Sequence, residues 1–203
     1  MNLLKDVNLG DKMKVIFLDI DGVLNTVETY ERVSCEFEET GVKKIEIDEF
    51  RVEYLRRIVE DTGAKIVLSS SLRGYFKRVG DCLVPKYEYY APEFLQIFEK
   101  YGLSLYDVTP VLSGIYGSRQ EEVKEWLLEH EEVDGFVILD DETTFLMEFV
   151  GTNLIQLNKL PAGVMVRRME DCIGLGEEHI EQAIEILNKK NDVKKLVRKN
   201  FEK

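Results

Sequence analysis

The segment VIFLDIDGVLN at residues 15–25 places the strongest constraint on the fold. Its first four residues are apolar, which is typical of a strand that is buried on both faces of a parallel sheet. The apolar run stops at Asp19, and Asp21 follows two positions later, so both carboxylates leave an extended chain on the same face. Gly22 then allows the backbone to turn away. We therefore expect two acidic side chains at the carboxyl end of a buried strand.

Two carboxylates at this spacing repel each other unless a cation or a hydrogen-bond network neutralises them. The pair Asp19 and Asp21 therefore suggests a cation site. An acidic turn would explain the pair without any function, because Asp and Gly are common where strands end. The residues that follow the other strands decide between these two interpretations.

Apolar strands and amphipathic helices alternate along the rest of the chain. We predict further strands at residues 65–70, 103–109, 136–139 and 152–157. We predict helices at residues 48–60 and 92–101, a third that begins after Ser118, and a terminal helix that contains Ile180, Ala183 and Leu187. Asp48 is expected to cap the first of these helices. This alternation predicts an α/β fold, a Rossmann-like three-layer sandwich with a mostly parallel sheet.

The length of 203 residues suits a single domain, residues 1–203, with a sizeable core. Residues 26–46 are rich in Glu and too polar for a core element, so we predict an irregular flap there. Residues 71–92 are expected to form a loop or a small excursion. The space between the first and second strands is too short for a large cap domain. We therefore expect an open site with a minimal flap.

The formal net charge of −12 argues against broad electrostatic binding of nucleic acid. Residues 188–203 differ from the rest of the chain, because they contain seven Lys and Arg residues and two acids. Such a segment either docks on phosphates or an acidic partner, or is the solvated end of a last helix.

The three cysteines are far apart and include no Cys-x-x-Cys pair, which indicates reduced thiols and not a disulfide framework or a zinc site. No apolar run approaches the roughly 20 residues that span a bilayer. The first residues lack the apolar core of a secretory signal. We expect a cytoplasmic protein without a membrane partner.

Polar residues follow three predicted strands: Asp19 and Asp21, then Ser69 and Ser70, then Asp140 and Asp141. The carboxyl ends of parallel strands meet at one edge of the sheet, where ligand sites of such folds lie. Two of the three strand ends carry paired acids. The sequence therefore predicts one functional constellation at that edge.

These residues carry a resemblance to the haloacid dehalogenase-like (HAD) superfamily of hydrolases. FLDIDGVLN, IVLSS and ILDDE match its first, second and fourth motifs, in the expected order, across residues 14–157. More narrowly, IVLSSSLR, EEVKEWLLEH and GLGEEHIEQAIEIL are similar to the HAD domain of Swiss Army Knife RNA repair-like proteins. Leu72 stands where that group usually carries Trp.

The resemblance implies roles for the four aspartates. Asp19 would attack phosphorus and form an aspartyl-phosphate, and Asp21 would act as general acid and then as general base. Mg²⁺ would be held by the Asp19 side chain, the Asp21 carbonyl group and Asp140. Asp141 would complete the metal site by orienting these groups, or would pair with the basic third-motif residue.

The resemblance also implies a hydroxyl and a cation beside the phosphate. Alternation places one serine of Ser69 and Ser70 in the site, and we favour Ser69 because it directly follows the apolar run. Arg73 either contacts a substrate phosphate or is an ordinary loop residue. The cation is Arg119 or Lys124, and Arg119 is favoured because the helix that precedes a strand begins at the active edge, whereas Lys124 lies about 7 Å further along the axis.

The expected function is that of a Mg²⁺-dependent phosphohydrolase. Its substrate would be a nucleotide, a nucleic-acid end phosphate or a small phosphoester, and the negative charge of the chain makes a long nucleic acid the weaker option. The alternative is a phosphate-binding or regulatory protein that keeps the fold without turnover. Asp19 and Asp21 favour the enzyme, because a binding protein needs no nucleophile.

Overall fold

The computed structural model describes residues 12–80, 82–112, 118–189 and 193. Its strands are β1 (Met13–Leu18), β2 (Lys65–Leu68), β3 (Phe76–Val79), β4 (Cys82–Pro85), β5 (Leu105–Val108), β6 (Val133–Asp140) and β7 (Leu154–Gln156). Its α-helices are α1 (Val27–Thr40), α2 (Glu49–Thr62), α3 (Ala91–Lys100), α4 (Arg119–Glu129) and α5 (Glu178–Asn188). Short 3-10 helices lie at Ser71–Tyr75, Met147–Phe149 and Met169–Asp171.

Five strands form a parallel sheet in the order β5-β2-β1-β6-β7. The chain moves outward from β1 through β2 to β5, and then crosses to the opposite side of β1 to form β6. The direction of strand addition therefore reverses between β1 and β6, which is the place where sheets of this kind bind ligands. The predicted α/β class with a mostly parallel sheet is confirmed.

The continuous apolar run of β1 is explained by helices on both faces of the sheet. On one face, Phe17 packs edge-on against Trp126 of α4, with 5.4 Å between the ring centroids. On the other face, Leu18 belongs to a core that includes Leu55 of α2 and Ala183 of α5. Each of these side chains is at most 2% exposed. The three predicted layers are therefore present.

The prediction that residues 26–46 are irregular was wrong, because α1 spans 14 of them. This helix buries only Thr29 and Val33, so its polar composition reflects a surface helix with a narrow contact stripe. The Thr29 hydroxyl accepts a hydrogen bond from the backbone N–H of Thr26 at 2.9 Å and satisfies one donor at the start of the helix.

Asp48 immediately precedes α2, as predicted, but its carboxylate does not cap that helix. It instead accepts hydrogen bonds from the Thr29 hydroxyl at 2.5 Å and from Arg32 Nη2 at 2.7 Å. Both donors belong to α1. Asp48 therefore fixes α1 against the beginning of α2.

The excursion at residues 71–92 contains more structure than the sequence indicated. A 3-10 turn leads into β3 and β4, which pair antiparallel as a separate two-stranded sheet. Residues 190–192 and 194–203, which hold most of the basic C-terminal segment, lie outside the described residues.

Candidate active site

A row of four buried polar residues crosses the carboxyl edge of the sheet. Thr109, Ser69 and Asp19 directly follow β5, β2 and β1, and Asp140 ends β6. Parallel pairing places them at the same height along neighbouring strands. Each of three backbone N–H groups donates to a carbonyl oxygen of the adjacent strand: Asp19 to Leu139 at 3.0 Å, Ser69 to Leu18 at 2.9 Å, and Thr109 to Leu68 at 3.0 Å. All four side chains are at most 5% exposed. The register of the sheet thus brings together residues that are far apart in the sequence.

Arg119 lies above this row because α4 begins at the same edge. The Ser118 hydroxyl accepts a hydrogen bond from the backbone N–H of Glu121 and caps the helix, which begins after Ser118 as predicted. Arg119 Nη1 donates to one carboxylate oxygen each of Asp19 and Asp140. Burial opposes the charge of Arg119, but the two carboxylates outweigh it and raise the pKa of the guanidinium. The helix start therefore places one cation between the predicted nucleophile and a predicted metal ligand.

Asp19, Asp140 and Asp141 form an acidic trio, in which one ligand oxygen from each residue lies within 4.8 Å of the others. Burial raises the pKa of the Asp140 carboxyl well above its usual range, and the charge of Asp19 adds to the effect. Burial and the charge of Asp19 raise the pKa of Asp141 to about 6. The energetic cost of these buried charges is the reason for both shifts.

The acidic trio fits a divalent cation. Within the described residues, Arg119 pairs with two of the three carboxylates, so negative charge remains unbalanced in a largely buried place. Carboxylate oxygens are also the donors that Mg²⁺ prefers in proteins. Of the predicted metal residues, Asp19, Asp140 and Asp141 contribute carboxylates to this cluster, whereas Asp21 was expected to contribute its backbone carbonyl.

Gly22 allows the strand end to pass close to Asp141. Its φ angle of 73° lies in the left-handed region, and a Cβ atom built on it would lie 2.6 Å from Asp141 Cγ. Any other residue would therefore push against a member of the acidic trio.

The Asp21 carboxylate is bonded by the turn that follows β1 and by α1. Its Oδ1 atom accepts hydrogen bonds from Asn25 Nδ2 at 3.0 Å and from the Tyr30 hydroxyl at 2.9 Å. Asn25 is fixed in turn, because its Oδ1 accepts from the backbone N–H of Gly22 at 2.9 Å. Burial and the charge of Asp21 raise the pKa of Tyr30, so its hydroxyl keeps its proton.

Sequence reasoning missed both Asn25 and Tyr30. Asn25 offered a weak signal, since it ends the FLDIDGVLN motif and Asn often bonds to nearby backbone in turns. Tyr30 offered none, because its contact with Asp21 depends on the course of α1, which was predicted to be irregular.

The two serines after β2 have different surroundings. Among the residues that the structure describes, no group bonds to the buried hydroxyl of Ser69. The Ser70 hydroxyl accepts a hydrogen bond from the backbone N–H of Leu72 at 3.3 Å. The structure thus leaves the hydroxyl next to Asp19 available, which agrees with the preference for Ser69, although its role in binding phosphate stays a prediction.

Arg73 and Lys124 are engaged elsewhere. Arg73 Nη2 contacts both carboxylate oxygens of Glu122 at 2.7 Å, and its Nη1 donates to the carbonyl groups of Ser69 and Ser70. A substrate phosphate would have to compete with this buried ion pair, so the geometry does not favour the predicted substrate contact of Arg73. Lys124 Nζ pairs with Glu148 at 2.6 Å, and its side chain is only 2% exposed. Arg119, and not Lys124, faces the aspartates.

A parallel sheet of this order, with aspartates on both sides of its reversal point, defines a Rossmann-like fold of the HAD type. The family model described as the HAD domain in Swiss Army Knife RNA repair proteins matches residues 15–160. The chain belongs to this family, which is of the phosphohydrolase type.

Searches of the curated proteins and of the solved structures give no match. In the part of the chain that the structure describes, no helix combines the length and the apolar character needed to cross a membrane.

Proposed function

We propose that this protein is a Mg²⁺-dependent phosphohydrolase that transfers a phosphoryl group first to Asp19 and then to water. The observation that carries the proposal is the largely buried trio of Asp19, Asp140 and Asp141, for which the described residues supply one bonded cation, Arg119. A structural role alone does not explain this concentration of poorly neutralised charge, because buried charges destabilise a fold. Destabilising clusters of buried charge are typical of functional sites.

In the first step the Asp19 carboxylate attacks phosphorus, and the bond between phosphorus and the leaving oxygen breaks. Arg119 and the Ser69 hydroxyl would stabilise the charge on the phosphoryl oxygens. Asp21 gives its proton to the leaving oxygen. In the second step Asp21 takes a proton from water, the water oxygen bonds to phosphorus, and inorganic phosphate departs as Asp19 is regenerated.

Asp19, Asp140 and Asp141, with the backbone carbonyl of Asp21, are the groups that would hold Mg²⁺. When bound, the ion supplies positive charge to the carboxylates and to the phosphoryl oxygens.

The proposed substrate is a nucleotide, a nucleic-acid end phosphate or a small phosphoester. The description of the family as RNA repair proteins supports a nucleic-acid end. The net charge of −12 supports a small substrate, because a long polyanion would be repelled. A cytoplasmic location stays a prediction.

The test is phosphate release from a panel of phosphoesters, measured with Mg²⁺ and with a chelator. We expect turnover by the native chain only with Mg²⁺, and none by Asp19→Asn. Asp61→Asn, which changes an exposed aspartate at the end of α2, is the matched control and should behave like the native chain.

Turnover that survives Asp19→Asn would exclude Asp19 as the nucleophile. A folded native chain that binds phosphate but releases none from any ester would support the alternative of a non-catalytic phosphate-binding protein.

A further inference from the structure

Helix α1 brings a phenol to the proposed acid–base residue. The Tyr30 hydroxyl donates to Asp21 Oδ1 at 2.9 Å, and Asn25 Nδ2 donates to the same oxygen at 3.0 Å. Both bonds go to one oxygen, so Oδ2 receives neither of them. The two donors therefore fix the orientation of the carboxylate and leave the other oxygen for a reacting group.

The position of Tyr30 is itself determined by contacts on both sides. The preceding residue, Thr29, and Arg32, one half-turn later, both donate to the buried carboxylate of Asp48. Asn25 Nδ2 also donates to the carbonyl oxygen of Glu46 at 3.0 Å. These contacts hold the start of α1, and with it the backbone of Tyr30, against the segment that leads into α2.

We infer that Tyr30 is a positioning residue, which holds Asp21 so that its Oδ2 meets the leaving oxygen of the substrate. The inference rests on the proposed function. It gives α1 a chemical role that the sequence did not reveal, because the helix delivers one hydroxyl to the acid–base group. Fixing a reacting group in a productive orientation lowers the barrier of the step in which it takes part.

The inference predicts a dependence on the leaving group. A good leaving group such as p-nitrophenolate departs as a stable anion and needs little help from a proton, whereas unsubstituted phenolate needs more. Loss of the Tyr30 hydroxyl should therefore lower kcat/KM for substrates with poor leaving groups more than for substrates with good ones. A residue that only stabilises α1 would affect all substrates alike.

The experiment compares Tyr30→Phe with the native chain on a series of ring-substituted phenyl phosphates in the presence of Mg²⁺. The measured quantity is kcat/KM, because it reports the steps up to departure of the leaving group and not the later hydrolysis. We expect kcat/KM to stay near the native value for p-nitrophenyl phosphate and to fall about tenfold for phenyl phosphate.

Tyr101→Phe is the matched control. The Tyr101 hydroxyl also donates to a carboxylate, that of Glu49 at 2.8 Å, but this pair joins α3 to α2 and does not involve Asp21. The control should leave kcat/KM unchanged across the series. Thermal unfolding of both variants is measured in parallel.

An equal fall in kcat/KM for all leaving groups, or no fall for any of them, would overturn the inference. The activity of the native chain would still support the proposed function in that case. A Tyr30→Phe chain that is unfolded at the assay temperature would also overturn it, because the hydroxyl would then be a structural group. A native chain that releases phosphate from none of the esters would contradict the proposed function, and the inference with it.

Discussion

Gly22 and Asp141 approach each other so closely that the absence of a side chain at position 22 is a requirement of the site. A Cβ atom there would lie 2.6 Å from Asp141 Cγ. Gly41, which ends α1, has a similar φ angle of 69° but no atom within 4 Å of a built Cβ. The two glycines therefore separate the cost of backbone strain from the cost of displacing Asp141.

We predict that Gly22→Ala and Gly41→Ala each lose about 1–2 kcal/mol of unfolding free energy from the strained backbone. Only Gly22→Ala should also lose activity, by about a hundredfold, because it moves a group of the reaction centre. Urea unfolding and phosphate release measure the two effects. Equal activity of the two variants would show that the contact with Asp141 has no part in the reaction.

Arg119 and Lys124 provide a second comparison at the scale of single residues. Arg119→Met leaves Asp19 and Asp140 without their cation, so phosphate release should fall about a hundredfold or more. Lys124→Met should stay close to native activity, because Lys124 pairs with Glu148 and Glu121 and not with the aspartates. The reverse order of activities would assign the cationic role to Lys124.

Whole elements differ in how well the sequence predicted them. β1, β2 and β6 were predictable, because a strand covered on both faces is a continuous apolar run. α1 was not predictable, because it buries only Thr29 and Val33. Its remaining residues do not form the wide apolar stripe by which a helix is recognised in a sequence. The edge that gathers Asp19, Ser69 and Asp140 followed from parallel pairing. The contact between Tyr30 and Asp21 did not, because it depends on where α1 lies in space.

The first turn of helix α5 contains a histidine whose titration should affect stability. His179 is buried, and its Nδ1 accepts a hydrogen bond from the backbone N–H of Gly176 at 2.9 Å. Burial lowers the pKa of His179 below its ordinary value of 6.5. The unfolded chain therefore binds a proton more readily than the folded chain does.

The sign of the pH dependence follows from this difference. The contribution of His179 is fully present above pH 6.5 and is lost progressively as the pH falls below that value toward the folded pKa. We predict that the unfolding free energy of the native chain decreases between pH 7 and pH 5 more steeply than that of His179→Asn, in which an amide oxygen can still accept the hydrogen bond. Urea unfolding at several pH values tests this. Identical slopes for the two chains would contradict it.

At the scale of the whole molecule, the sheet joins groups from separate parts of the chain into one cation site. The acidic trio comes from the ends of β1 and β6, and Arg119 comes from the helix before β6. A cation that binds only when these elements are assembled should stabilise the entire fold.

We predict that Mg²⁺ raises the unfolding free energy of the native chain, by about 2.7 kcal/mol at a concentration one hundred times its Kd. Asp141→Asn should be more stable than the native chain without Mg²⁺, because it removes a buried charge, and should gain less when Mg²⁺ is added. Thermal unfolding with Mg²⁺ and with a chelator measures this. No response of the native chain to Mg²⁺ would exclude the proposed cation site.

The most direct test of phosphoryl transfer at Asp19 is to trap the phosphorylated enzyme. The native chain is mixed with Mg²⁺ and a phosphoester that it hydrolyses, and the reaction is quenched in acid. One part of the sample is used to measure the intact mass of the chain. The other part is reduced with borohydride and analysed by peptide mapping. We predict the added mass of one phosphoryl group, located at Asp19 and absent from Asp19→Asn. Turnover without any phosphorylated chain, or with the phosphoryl group on another residue, would contradict the proposed mechanism.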